Sequence, residues 1–518
     1  MKSNKKIKKN NLFIKMIKNK YYLYCMLLST ILLLFTSKNS FLYIFNDWVD
    51  ANAFFTVGKS IMNGVVPYRD LFEQKGLILY LIYGIGYLLS HKTFYGVFIL
   101  EIISFSVFLY YIHKIFNLYF EKKYSLLLLP IFTFIITTCG SFVHGGSCEE
   151  FCFPYLAISL YYFIKHFKIK NLTNKEIIIN GIMSGIVFMM KYTIIGFWIG
   201  FVIFFLIDYL LKKQIKESFN FVIKFLLGMI IPIGICFMYL LIIGGLKDYI
   251  IDYFIINITA YTKKEKLKLI KRIIKIILYS IEGLTKSGYL VLELISLIPF
   301  SLLLFKEKKQ LKFGFITLFL FTDFFIYCGL QNHRYYALPL TIFIIITLIA
   351  VISLLKKYLD KILLKKNITI ILTIFLFILS TSLSYNYANY KYFLNYKRKD
   401  LFQYKYAKYI MKYDNPTILN MGFLDVGLYT LTGVIPNTKF FEVQNIDYDK
   451  FPNNLDDMKY NVENKKVKFI VYVIDKQNET IPGYIYNNYK LVYNDNYMYE
   501  YRQINVSLFI LKELSTND

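Results

Sequence analysis

Charge is scarce in this sequence: 18% of its 518 residues are Asp, Glu, Lys or Arg, against about a quarter in a soluble domain. No CxxC pair occurs among the six cysteines, and no His-rich metal spacing is present, which argues against a zinc site. No P-loop, no GxGxxG after a strand-like run, no GxSxG and no HExxH appears, so nothing points to cytoplasmic nucleotide binding. The first apolar run lacks a small-residue cleavage site, so it reads as an uncleaved helix and not as a removed signal peptide. Ionisable residues within apolar runs are few, namely Glu101, Glu293 and Asp323. With no inverted symmetry beside them, they do not suggest a proton-coupled transporter.

What is abundant is apolar: 56% of residues are hydrophobic and 19% aromatic, with a mean hydropathy of +0.45. The net charge of +27 falls in short clusters between apolar runs, where basic loops set topology, so nucleic-acid binding is excluded as the explanation. Runs long enough to span a bilayer lie near 21–37, 93–116, 124–140, 151–167, 176–191, 192–211, 219–243, 287–305, 313–330, 336–355 and 367–385. A polytopic, mainly α membrane protein with about eleven transmembrane helices is expected. The run 76–90 is apolar but short. Basic clusters at Lys2–Lys20, Lys122/Lys123, Lys165–Lys175, Lys212–Lys216, Lys306–Lys312 and Lys356–Lys366 all fall on the cytoplasmic side if 76–90 is re-entrant or interfacial.

That topology gives a multi-pass plasma-membrane protein with a cytoplasmic N-terminus. Residues 1–385 form the transmembrane module, and outer loops lie at 38–92 and 141–150. Residues 386–518 form a small extracytoplasmic α/β domain, with strand-like runs at Thr417–Met421, Lys468–Ile474 and Tyr497–Arg502 and turn signals at Asn453-Asn454 and Pro482-Gly483. The segment 263–275, with seven basic residues, disagrees with the charge rule. Leu267, Ile270, Ile273, Ile274 and Ile277 recur at helical spacing, so it reads as an amphipathic helix on the outer leaflet, held by anionic head groups.

The first outer loop carries the chemistry. Between Asn46 and Gly76 it holds Asp47, Asp50, Asp70 and Glu73, with Arg69 and Lys75. A carboxylate just after a transmembrane helix can bind a divalent metal or take a proton from a hydroxyl. Ala51–Asn63 reads as a short helix, with Gly64 as its stop and Pro67 turning the chain; Asp50 could also serve as that helix's N-cap. In the second loop Glu149 and Glu150 stand where a helix N-terminus tolerates negative charge; one of them is expected to face Asp50 across a shared cavity, and His144 between small residues could contact substrate. Lys191 ends one span, and His333 and Arg334 sit in a polar aromatic turn suited to a phosphate or a sugar ring.

The run from Asp50 through Gly64-Val65-Val66-Pro67-Tyr68-Arg69-Asp70-Leu71-Phe72-Glu73-Gln74-Lys75-Gly76 resembles the first outer loop of bacterial GT-C glycosyltransferases, relatives of the dolichyl-phosphate-mannose protein mannosyltransferases and the aminoarabinose lipid A transferases. Gly145-Gly146-Ser147-Cys148-Glu149-Glu150 resembles their second acidic loop. The resemblance implies a GT-C-like bundle and inverting transfer of a sugar from a polyprenyl-phosphate donor to a hydroxyl acceptor outside the membrane. It implies Asp50 as base or metal ligand, with Glu149 or Glu150 as the second-loop acid. Arg69, Asp70, Glu73, Lys75, Lys191, His333 and Arg334 are the substrate-binding candidates. Leu77 replaces the usual proline after Lys75-Gly76, and the acids read D-x-x-D. A divalent ion (Mg or Mn) held by Asp50 and Glu149 is one expectation. Acceptors include a cell-wall polymer, lipid, glycan or protein. The alternatives are a polysaccharide polymerase or ligase and a non-enzymatic lipid or polysaccharide transporter.

Overall fold

The computed structural model describes residues 19–261, 269–288, 309–363, 366–475 and 479–517. Among these residues six helices are long and apolar enough to cross a membrane: Tyr95–Phe116, Tyr192–Leu211, Ile215–Ile242, Lys309–Tyr327, Arg334–Ile362 and Asn367–Tyr387. Other expected spans coincide with shorter helices at Lys20–Thr36, Lys122–Thr138, Phe153–Lys168 and Asn174–Phe188. Of the span expected at 287–305, only its first two residues are described. Apolar side chains face outward where lipid would meet them, as Leu227, Ile231, Ile235 and Ile242 do on Ile215–Ile242 and Ile371, Ile374 and Ile378 on Lys366–Tyr387. The chain is a multi-pass membrane protein built on a helical bundle.

The short run 76–90 forms the 13-residue helix Leu77–Leu89, which at 1.5 Å per residue is about 20 Å long, short of the hydrocarbon thickness. The helix expected at 51–63 spans Val49–Met62, and Gly64 follows with φ +86°. Trp48 is its N-cap, so Asp50 sits inside the first turn and is not the cap. The first half of the basic segment 263–275, with Leu267, lies outside the described residues. From Leu269 it continues as the helix Leu269–Lys286, on which Ile270, Ile273, Ile274 and Ile277 are exposed.

Close helix contact depends on glycine at one crossing. A Cβ on Gly181 would stand 2.0 Å from the Phe225 carbonyl oxygen, and one on Gly228 2.1 Å from that of Ile178. The helices Asn174–Phe188 and Ile215–Ile242 therefore touch backbone to backbone. Gly181→Ala should destabilise the detergent-solubilised protein by about 1–3 kcal/mol through overpacking. Gly234→Ala, on the same long helix with open space around it, should be neutral or slightly stabilising. Thermal unfolding of the two variants side by side checks this.

The tail folds into a mixed four-stranded sheet of order β1-β2-β4-β3, with β1 Ile418–Met421, β2 Phe469–Ile474, β3 Tyr489–Tyr499 and β4 Arg502–Leu511. β1 and β2 run parallel, whereas β4 is antiparallel to both neighbours. The first two strands lie where the sequence placed them. The third expected strand, Tyr497–Arg502, instead straddles the β3–β4 hairpin tip, and Asn453-Asn454 opens the helix Asn453–Glu463. One apolar core runs from the helices into this sheet. All six cysteines are free thiols.

Candidate functional site

Loop one is fixed to the bundle at Gly76. Its amide donates to the Met190 carbonyl at 3.0 Å, and a Cβ there would lie 2.1 Å from the Met189 carbonyl oxygen. The docking brings Lys75 to the end of the Asn174–Phe188 helix, where Lys191 follows.

Asp50 is half-buried, and its Oδ2 accepts the Tyr335 hydroxyl at 2.8 Å. It lines two adjoining spaces. The larger is a cavity of about 610 Å³ between the bundle and the C-terminal sheet, bounded also by His144, Arg334, Asp475 and Glu500. The smaller is lined by Glu73, Gln74, Lys75, Tyr261, Glu442 and Gln444. Asp50, His333, Tyr335, Leu424 and Asn445 border both.

The smaller pocket offers hydrogen-bond donors. Lys75 reaches toward it with its ammonium 5.7 Å from the Phe54 ring centre. Burial works against that charge, but Glu73, Asp50, Tyr261 and Glu149 outweigh it and hold the Lys75 pKa above its ordinary value. The Gln74 Nε2 is buried without a partner. His333 meets the Tyr261 hydroxyl at 3.2 Å, and burial lowers its pKa. Glu73 accepts from the Tyr80 hydroxyl. Burial pushes Glu442 far above the ordinary carboxyl range, and Glu73 and Asp425 add to it.

The second loop divides its two acids. Glu149 pairs with Lys191, whose ammonium also lies 3.9 Å from the Tyr336 ring centre and 5.4 Å from that of Tyr335. Glu149 lines neither space beside Asp50; its partner Lys191 faces the ring of Tyr335, whose hydroxyl Asp50 accepts. Glu150 turns the other way: its Oε2 accepts the Gly146 amide at 2.6 Å, and the remaining oxygen, like one of Glu101, has no partner. Burial, and then the Glu101 carboxyl, push Glu150 well above the ordinary range.

Arg69 and Asp70 pair with each other at 2.8 Å on the exposed surface and line neither space. Arg334 is exposed, with Asn389 Oδ1 at 3.3 Å, and stands on the rim of the larger cavity. Among the described residues no group of three or more His, Cys, Asp or Glu is placed to hold a metal. With Asp50 on Tyr335 and Glu149 on Lys191, the two acids do not make up the oxygen shell that Mg²⁺ or Mn²⁺ requires.

The C-terminal residues Glu442, Asn445, Asp475 and Glu500 escaped sequence reasoning. Gln74 lay inside the loop-one run and Tyr335 in the polar aromatic turn with His333 and Arg334, without a role of their own.

His144 is sandwiched between Trp48 and Tyr390, at ring separations of 4.8 and 4.6 Å, and its Nε2 lies 2.6 Å from Glu500. Burial lowers the His144 pKa more than Glu500 raises it. Burial also opposes ionisation of Glu500, yet His144, Lys38 and Arg502 hold that carboxyl down at about 2. Unfolding therefore takes up a proton at His144 below its ordinary pKa of 6.5, and another at Glu500 below 4.5. The stability contributed by this pair should fall on acidification from pH 7, with the Glu500 share lost between pH 4.5 and about 2. Glu500→Gln should flatten the lower part of the curve, measured by thermal unfolding against pH.

A family model described as "Putative competence-induced protein Ccs4 N-terminal domain" matches residues 7–361. The chain belongs to that family. No curated protein matches it in sequence. Among solved structures it is similar to ArnT from Cupriavidus metallidurans bound to undecaprenyl phosphate, with a TM-score of 0.57, 9% identity, and coverage of 94% of this chain and 97% of that one. The apo state of the same protein gives a TM-score of 0.54 at 8% identity with the same coverage. This Ccs4-family chain thus shares the ArnT fold over nearly its whole length.

Proposed function

We propose that this Ccs4-family protein is a glycosyltransferase that moves a sugar from a polyprenyl-phosphate donor to a hydroxyl acceptor at the outer face of the membrane, with inversion. The observation that carries the reading is the position of Asp50 between a cation-bearing pocket and a larger cavity. The likeness to an ArnT structure bound to undecaprenyl phosphate supports the donor class. In this reading the N-terminus is cytoplasmic, and residues 386–518 form an extracytoplasmic domain.

The donor phosphate sits by Lys75, Gln74 and His333. The acceptor hydroxyl enters from the larger cavity. Its oxygen forms a bond to the anomeric carbon as the bond from that carbon to the phosphate oxygen breaks. The electron pair leaves with the phosphate, and the hydroxyl proton passes to Asp50. Lys75 stabilises the charge developing on the phosphate. Tyr335 orients the Asp50 carboxylate. Glu149 acts through Lys191, as a positioning residue, and Glu150 holds the second loop through the Gly146 amide. Arg69 and Asp70 brace the loop outside the pocket.

The test is release of undecaprenyl phosphate from a panel of undecaprenyl-phosphate sugars by the reconstituted full-length protein. Release from at least one donor is expected when hydroxyl acceptors from cell-envelope extracts are present. Failure to bind undecaprenyl phosphate at all would overturn the reading.

A further inference from the structure

The larger cavity has walls that the donor does not need. Its C-terminal side is the tip of the β3–β4 hairpin, where Glu500 and Tyr501 take φ values of +45° and +68°. Both central residues of this two-residue loop are thus left-handed, a conformation that favours Asn-Gly and disfavours larger side chains. Contacts hold the tip in place: the Tyr501 hydroxyl donates to the Asn389 carbonyl at 2.9 Å, and Glu500 meets His144. With Nε2–H committed to the Glu500 carboxylate, the other ring nitrogen of His144 is left as an acceptor. That Nδ1 is closed off from the cavity, as is one oxygen of Asp475, so the acceptors open to it are the Glu500 carboxylate, whose side chain is 35% exposed, and the partly exposed Asp475 carboxylate. The second Asp475 oxygen is held by Arg502 at 3.0 Å.

Two carboxylates with aromatic rings beside them suit a ligand rich in O–H donors and with apolar C–H faces. A volume of about 610 Å³ accommodates one or two sugar rings, well beyond a serine or threonine side chain. Asp50, Asp475 and Glu500 disfavour an anionic group, since the two arginines on the wall already have partners in Asp475 and Asn389. We propose that this cavity is the acceptor subsite and takes an uncharged carbohydrate, whose hydroxyls donate to the Glu500 and Asp475 carboxylates on its wall. Glu500 at the hairpin tip is the residue that sets the histidine's tautomer. The assignment rests on the glycosyltransferase reading and names its acceptor class.

Trp48 lines the cavity, and the only other tryptophan, Trp198, is buried against Ser159. Trp48 fluorescence of the full chain in detergent therefore reports binding there. Methyl glucoside, methyl N-acetylglucosaminide and a disaccharide such as cellobiose are the probes, with the amidated peptide Ala-Ser-Ala as the competing class. At least one saccharide should saturate, and Asp475→Asn and Glu500→Gln should each weaken it about tenfold, the loss expected for a hydrogen bond to a charged group. Undecaprenyl phosphate binding, measured in parallel, should be unchanged in both variants and serves as the check on folding. The inference is overturned if no saccharide saturates, if only the peptide does, or if the saccharide binds both correctly folded variants as tightly as wild type. Undecaprenyl phosphate binding without saccharide binding sinks this assignment alone; the reverse pattern sinks the donor reading.

Discussion

Purified Asp50→Asn protein should lose sugar transfer by about 10²–10⁴-fold, the usual contribution of a positioned general base, while still binding undecaprenyl phosphate. Asparagine preserves the shape of the side chain and can still accept the Tyr335 hydroxyl bonded to Asp50 Oδ2. What it cannot do is take the acceptor's proton. The loss should therefore appear in kcat, with the donor's apparent affinity little changed. Tyr335→Phe, which frees the carboxylate but leaves it ionisable, should cost far less, about tenfold, the worth of one hydrogen bond. If Asp50→Asn turned over at the wild-type rate with its true donor, the base would lie elsewhere.

The largest stability effect is expected at Asp47, three residues earlier. Lys38 and Asp47 form a fully buried ion pair, at 2% and 4% exposure. The Lys38 ammonium also lies 3.9 Å from the Tyr390 ring centre, and Asp47 accepts the Tyr497 hydroxyl at 2.8 Å. Asp47→Ala would leave an ammonium buried without its counter-charge, at a cost of about 3–5 kcal/mol. It would also cut the tie between loop one and β3. The double variant Lys38→Met/Asp47→Leu should recover most of that loss, because removing both charges removes the desolvation penalty. Thermal unfolding in detergent measures both, and equal loss in the single and double variants would contradict the paired role.

The transmembrane layout was readable because hydropathy alone decides it: apolar runs of spanning length have nowhere else to go. The helix after loop one was also readable, from its periodicity and the glycine stop at Gly64. Side-chain partnership was not. Glu149 and Glu150 are neighbours in sequence, yet one pairs with Lys191 and the other accepts the Gly146 amide, because adjacent positions on a helical turn point in different directions. The hairpin tip was hidden for a related reason. Glu500-Tyr501 carries none of the Asn-Gly signal of a tight turn, and the aromatic residues on either side extend a strand-like pattern across it. Asn453-Asn454 erred in the opposite sense, since asparagine serves helix starts as well as turns. Glu442, Asn445 and Asp475 come from a polar tail of ordinary composition, and only the packing of the sheet against loop one makes them part of a site.

The most direct test is a structure of the full-length protein with undecaprenyl phosphate in lipid nanodiscs. The phosphate is expected in the smaller pocket, in contact with Lys75 and Gln74 and on the far side of Asp50 from His144. Its loss in Lys75→Ala protein should follow. A phosphate seated away from Lys75, or an Asp50 carboxylate turned out of the space beside it, would contradict the account.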